Sequence, residues 1–377
     1  MEKQILNKID QLQERLIQDI KRMVQIDSVE QPAMLAAPFG EGVKKALTEA
    51  LTISHELGFE TTNMDHYIGY ASWGKSTDYI CAIGHLDVVP VGTGWKHPPF
   101  SAFEEDGFIY GRGVLDNKGP ILSCLYALYA LKELGIEMEK EVRIIFGCDE
   151  ETGFKDLEYY LSKEKPPVMG FTPDCKYPVV YGERGRAVIR ITAALDQHQK
   201  FFDYLNTYFM NAKNNGETLG IDFRDQEFGM LEMRGYHLDS DDQHLYFDFT
   251  LSYPSGVTLE ILMDKIKETC PFGCECTKHY SPVRFEKDSF LVHSLQKAYE
   301  EVTGKDGTPV TTTGGTYAKL MPNIVPFGPS FPGQKGIAHL PNEWMKIEDI
   351  IANAKIYALS FYYLNAKKGK ESYGKDC

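Results

Sequence analysis

Five short stretches of this chain carry the residue types that bind divalent metals and move protons. In GHLDVVP, residues 84–90, His85 leaves an apolar run and Asp87 follows two positions on. Residues i and i+2 share a face of an extended segment, so Asp87 can hold the imidazole from behind and fix its tautomer. A strand-end histidine beside an aspartate is also an ordinary structural pair. In GRGVLDNKGP, residues 111–120, Asp116 sits in a glycine-rich turn ahead of a helix. Asp116 or Asn117 can cap that helix, a role compatible with metal binding at Asp116. A phosphate loop does not fit, because the G-x-x-x-x-G-K-[ST] spacing is missing and the chain is acidic.

The third stretch, DEETG at 149–153, places three carboxylates in a row after an apolar strand. They repel one another unless cations neutralise them or water covers them. One reading is a solvated acidic turn. The other has Glu151 binding metal while Glu150 stays unligated, with a raised pKa, as general base. TPDCKYP contributes Asp174 and GIAHLPNEW contributes His339. Glu343 follows His339 by four positions, but Pro341 between them spoils the helix that a zincin motif needs. Taken together, two histidines, one bridging aspartate and two further carboxylates suit a pair of borderline divalent ions sharing a bridging water.

These residues need elements to hold them. YICAI, ending at Gly84 and His85, reads as a buried strand, Gly119–Leu134 as a helix stopped by Gly135, and EVRIIFG as a strand running into CDEETG. Strand, helix, strand in that order predicts a parallel or mixed sheet with helices on its faces. Ile5, Ile9, Leu12, Leu16 and Ile20 recur at helical spacing near the N-terminus. After Gly182 the pattern changes. Strands at Arg186–Ala194 and Leu245–Tyr253, each followed by a helix (Phe201–Ala212, Leu259–Thr269), predict a small inserted α+β domain. Helices at Ser289–Val302 and Ile347–Tyr363 return to the first domain. The organisation expected is a catalytic domain from 1–184 and 287–377 around an insert at 185–286, with 367–377 a frayed tail.

Composition narrows the partners. A net charge of −14 and pI near 5.2 over 377 residues argue against a nucleic-acid or anionic-membrane surface. The charged N-terminal stretch is neither signal peptide nor membrane span, so a cytoplasmic protein is expected. Eight cysteines in a chain of this size do not make a disulfide framework. Cys81 and Cys148 are expected as buried thiols. Cys270, Cys274, Cys276 and His279 are spaced poorly for a structural zinc site and read as a turn with free thiols.

The stretches GHLDVVPVGTGWKHPPF, IYGRGVLDNKGP, VRIIFGCDEETG, FTPD, TGGTYAK and AHLPNE, in this order and spacing, resemble the M20 family of metallopeptidases, and within it the PepV-like dipeptidases. The likeness spans nearly the whole chain outside 185–286. It implies an α/β fold of the zinc exopeptidase type: a mixed-sheet catalytic domain with helices on both faces, plus a smaller α+β lid. It also implies two divalent ions, zinc first with manganese or cobalt as alternatives. His85, Asp116 and Asp174 would hold one, and Asp116, Glu151 and His339 the other, with Asp116 bridging. Glu150 would be the base that activates the bridging water, and Asp87 the partner of His85. The implied substrate is a dipeptide or an acylated amino acid. Gly314, Gly315, Thr316 and Lys319 would cradle its carboxylate, although Thr311–Gly315 also reads as a plain loop.

The insert departs from the family pattern. The lid motif that carries a histidine is missing, and His198 lies near but in a different context. Ser252 stands where an arginine would precede Tyr-Pro, and Lys319 where an arginine is more usual. Three readings follow: a lid remodelled for another substrate, a homodimer in which a second subunit lends a histidine (His237 or His244), or a homologue that binds metal without efficient turnover.

Overall fold

Every residue of Tyr79–His85 is buried, because this strand runs inside a six-stranded sheet with neighbours on both sides. Glu141–Gly147 and Met169–Thr172 flank it in parallel, and Ile324–Pro326 continues the parallel run beyond Met169–Thr172. Ile68–Trp73 and Glu60–Met64 complete the other side in antiparallel pairing, so the sheet is mixed. Strands buried on both faces are expected to be continuously apolar rather than alternating, as YICAI and IIF are.

The structure, a computed structural model, describes residues 1–365, and the tail read at 367–377 lies outside them. It divides into two units. The larger holds Met1–Val180, Lys287–Pro309 and the described residues from Thr316 onward; the smaller holds Tyr181–Glu286 and Val310–Gly315. Val310–Gly315, expected with the catalytic part, thus groups with the insert.

In the larger unit the helix Lys118–Glu133 packs on the sheet and against the helices Glu2–Val24 and Ile347–Asn365. It has apolar residues all round and is buried on nearly every side, as a helix between a sheet and two other helices must be. Glu41–Glu56 packs on Glu60–Met64 and Ile68–Trp73. No helix among the described residues is long and apolar enough to cross a membrane.

The smaller unit is a four-stranded antiparallel sheet in the order Glu232–Ser240, His244–Tyr253, Gly185–Ala194, Gly273–Tyr280. The inward residues Ile189, Ile191, Phe247, Phe249 and Leu251 meet Leu262 and Ile266 from the helix Leu259–Thr269. The helix predicted at Phe201–Ala212 runs instead over His198–Leu205 and then widens into a π turn at Asn206–Met210. Two strands escaped the periodicity. Glu232–Ser240 is an edge strand exposed along most of its length, so little apolar alternation marks it. Gly273–Tyr280, expected as a turn, is the opposite edge. Cys274 and Cys276 pack against the core from it, and His279 hydrogen-bonds the Tyr253 hydroxyl at 2.6 Å.

Candidate metal centre and active site

Three adjacent parallel strands finish at the same edge of the sheet, and each hands over a functional turn. His85 pairs in register with Gly147, so the acidic turn at 149–153 begins beside the imidazole. Met169–Thr172 leads through Pro173 to Asp174 on the other side. Open parallel sheets collect ligands at these carboxyl ends, where loops from several strands converge.

His85 is fully buried. Its Nδ1 lies 2.9 Å from the backbone oxygen of Asp87 and 3.5 Å from Asp87 Oδ1. Its Nε2 lies 3.0 Å from Asp116 Oδ1 and 3.8 Å from Asp174 Oδ2. The imidazole therefore faces oxygen acceptors from both nitrogens. A neutral ring has only one N–H, so the Nε2 side requires either a second proton or a cation. Asp87 braces the ring chiefly through its backbone carbonyl, while its Oδ2 accepts the Glu151 N–H at 3.0 Å.

The second half mirrors the first. His339 Nε2 lies 2.9 Å from Asp116 Oδ2 and 3.0 Å from Glu151 Oε1. Asp116 thus turns one oxygen to each histidine. Among the described residues, two groups could hold a metal ion, with ligand atoms in each within 4.8 Å of one another: His85, Asp116, Asp174 and Asp116, Glu151, His339. Glu150 belongs to neither. The donor chemistry fits two ions, since each group offers one imidazole nitrogen and carboxylate oxygens and Asp116 is common to both.

The charges of the site respond to one another. For Asp116 burial favours the acid form, but the hydrogen bonds to His339 and His85 win and hold the carboxyl well below its usual range. The same bonds to Asp116 and Glu151 push His339 up to about 10. Burial opposes charge on His85, yet hydrogen bonds to Asp116 and Asp87 raise it well above an ordinary imidazole. Glu150 and Asp174 go the other way. Desolvation, with Asp174 the main charged neighbour of Glu150 and Asp116 that of Asp174, raises both well above the ordinary carboxyl range. Cations held by the two groups would favour the carboxylate form of both.

Residues 81–362 match the model of the peptidase family M20/M25/M40. The chain belongs to that family. Among curated relatives of this M20-type peptidase, the putative dipeptidase YtjP of Bacillus subtilis (strain 168) is 29% identical, over 93% of this chain and 97% of its own. The putative dipeptidase SSP1012 of Staphylococcus saprophyticus is 27% identical over 95% and 98%. Solved structures with the same fold include human carnosine dipeptidase 1 (TM-score 0.71, 16% identity, 97% of this chain and 99% of that one). The dipeptidase Dug1p from Saccharomyces cerevisiae superposes with TM-score 0.72 at 17% identity, over 96% and 98%.

The peptidase also contains supporting residues whose roles sequence reasoning missed. Glu343 is buried. Its Oε1 accepts the N–H groups of Gly113 and Leu115 at 3.0 Å each and of Asp116 at 3.1 Å, and its Oε2 takes the Arg112 guanidinium at 2.7 Å. Arg112 reaches on to the Leu340 carbonyl at 3.3 Å and stacks over Trp95. The pair ties the Asp116 turn to the His339 turn. That anchoring matters, since His339 itself sits at φ 64, a left-handed conformation costing a non-glycine residue about 1–3 kcal/mol. Asp156 does the same for the acidic turn, accepting Cys148 N–H at 2.6 Å, Asp149 N–H at 3.2 Å and the Tyr317 hydroxyl. Asn117 is the first residue ahead of the helix Lys118–Glu133, yet its side chain makes no cap; its Nδ2 donates to the Pro173 carbonyl at 2.6 Å beside Asp174. The Asp116–Asn117 peptide is cis.

The residues expected to cradle the substrate lie in different units. Gly314 and Gly315 are exposed on the smaller one, where the Gly314 N–H donates to Thr312 Oγ1 at 3.3 Å. Thr316 is buried in the larger, its hydroxyl accepting the Ala318 N–H at 3.2 Å, and Lys319 is half-buried nearby. Ser252 is buried, and its hydroxyl has no hydrogen-bond partner among the described residues.

Proposed function

We propose that this M20-type peptidase is a two-metal hydrolase that cleaves the amide bond of dipeptides or similar small amides. The observation that carries this reading is Asp116, which turns its two oxygens toward His85 and His339 at 3.0 and 2.9 Å. One ion would be held by His85, Asp116 and Asp174, the other by Asp116, Glu151 and His339, with zinc the first choice for such a mixed nitrogen and oxygen set. Bound there, the ions would supply Lewis acidity toward the scissile carbonyl and toward a water.

The residues of the chain do the rest. Glu150 stands outside both groups, so its carboxylate is free to take the proton from the attacking water and return it to the leaving amine. Asp87 fixes the His85 ring through its backbone and steadies Glu151 through its carboxylate, so one residue serves both halves. The names of the curated relatives, putative dipeptidases along almost their full length, support the same substrate class. The test is a panel of dipeptides and N-acyl amino acids, assayed after zinc, manganese or cobalt is added to metal-stripped protein. Metal-dependent turnover of a dipeptide is expected. No turnover of any substrate with any metal would leave a metal-binding protein that is not a hydrolase.

A further inference from the structure

Among the described residues, none donates a hydrogen bond to the Glu150 carboxylate, so this side chain is placed by the backbone turn that carries it. The peptide N–H groups on either side of Glu150 are each held by a buried carboxylate. Asp87 Oδ2 accepts the Glu151 N–H at 3.0 Å. On the other side a single oxygen of Asp156, Oδ2, accepts three groups together: Asp149 N–H at 3.2 Å, Cys148 N–H at 2.6 Å and the Tyr317 hydroxyl. The rest of the turn closes on itself, with the Asp149 carbonyl accepting Phe154 N–H at 2.7 Å and the Asp149 carboxylate accepting Lys155 N–H at 2.9 Å.

Tyr317 comes from a distant part of the chain and is fully buried. Its own backbone is firmly seated. The short turn Tyr317–Lys319 packs on the strands Met169–Thr172 and Ile324–Pro326, and the Tyr317 carbonyl accepts Leu320 N–H at 3.0 Å and Met321 N–H at 2.8 Å. Its ring lies 5.4 Å from that of Phe154 between centroids. A Cβ at Gly147 would collide with the Tyr317 hydroxyl, so the end of the strand Glu141–Gly147 leaves room for that group. Burial, with the negative charges of Asp156, Asp87 and Glu150 around it, holds the phenol well above its ordinary value, so the hydroxyl stays a donor.

We infer that Tyr317 is a positioning residue for Glu150: its hydroxyl fixes Asp156, and Asp156 fixes the peptide from which the base projects. The inference rests on the hydrolase reading above and concerns how its base is aimed. A general base works only within hydrogen-bond reach of the proton it takes, so a small displacement of the turn costs rate before it costs binding. Tyr317 and Asp156 belong to neither metal group, which separates their effect from the loss of an ion.

Tyr317→Phe removes only the hydroxyl, and Asp156→Ala removes its acceptor, so the link is broken from either side. Asp156→Asn keeps an oxygen that can accept the hydroxyl and the two N–H groups. The measurements are kcat and KM on a dipeptide that the wild type hydrolyses, with zinc content by elemental analysis. Tyr317→Phe and Asp156→Ala are each expected to lower kcat by about 10- to 100-fold, with KM within about twofold and zinc content unchanged. Asp156→Asn should restore most of the wild-type kcat. The double variant of Tyr317→Phe and Asp156→Ala should lose no more than the slower single one, because both changes break one link. Wild-type kcat in a folded Tyr317→Phe or Asp156→Ala, a loss that tracks zinc content or KM, additive losses in the double variant, or an Asp156→Asn as slow as Asp156→Ala would overturn the inference while the hydrolase reading stands. Should one variant not fold, the other still decides; variants that all fail to fold would make the link structural and overturn the inference too. A wild type that hydrolyses no dipeptide would overturn both readings.

Discussion

The carboxylate of Glu343 accepts the backbone N–H of Asp116 at 3.1 Å, so the residue whose side chain faces both histidines is held from behind by another buried acid. The same oxygen serves two further N–H groups of the turn, and the partner oxygen pairs with Arg112, making a cup from which the Asp116 side chain projects. Burial and the charge of Asp116 push Glu343 up to about 7 against these donors. A carboxylate kept in so unfavourable a place indicates that position, more than stability, is what it supplies.

Glu343→Gln keeps the shape and loses the charge. We expect metal affinity to fall by about 10- to 100-fold, the usual effect of removing a group that orients a ligand. The variant should also lose stability, since Arg112 is left buried without its counter-charge, a change that costs about 3–5 kcal/mol. Metal-buffered titrations and thermal unfolding measure the two separately. Unchanged affinity in a folded variant would reduce Glu343 to a structural part.

Glu150→Ala should lower kcat by at least about 10²–10⁴-fold, the range a general base contributes, with both ions still bound. Elemental analysis of the purified variant beside its turnover number decides this. Full activity would remove Glu150 as the base, and loss of metal would make it a ligand instead.

His339→Ala removes the only imidazole of the second group, leaving the set around His85 whole. One ion should be lost first, so stoichiometry falls from two toward one while the His85 site still fills. Because His339 is half-exposed and His85 fully buried, the reverse loss is not expected. Two ions retained at wild-type affinity would overturn its ligand role.

The sequence made the parts with local signatures legible. The strand into His85, the helix after Asp116 and the strand into the acidic turn each carry their own apolar pattern, and the residues at their ends do come together. What stayed hidden was tertiary. Glu343 and Arg112 are separated by 231 positions, and Tyr317 and Asp156 by 161, so no spacing marks either pair. An intramolecular partner for a buried charge can be inferred only once the charge is known to be buried, and Arg112 in a glycine-rich turn reads as surface. The smaller unit shows the same limit, where the edge strand Glu232–Ser240 is exposed along most of its length and so lacks the apolar alternation that marks a half-buried strand.

Asp156 allows a test of pH dependence away from the metal ligands. Burial raises its carboxyl to about 7, with the Tyr317 hydroxyl and the Cys148 N–H pulling the other way, against about 3.9 in an unfolded chain. The folded state therefore holds this proton more tightly than the unfolded state between those two values. Stability contributed by the group is fully present below about pH 4, declines as pH rises toward 7, and is flat above. The slope it can add approaches about 1.4 kcal/mol per pH unit. Asp156→Asn cannot titrate, and its amide oxygen can still accept the Tyr317 hydroxyl. Denaturant unfolding of metal-stripped protein at several pH values should then show wild type losing stability, relative to Asp156→Asn, as pH rises from about 4 to 7. Parallel curves for the two proteins would mean that Asp156 is ionised throughout, and that Tyr317 and the turn's N–H groups compensate its burial in full.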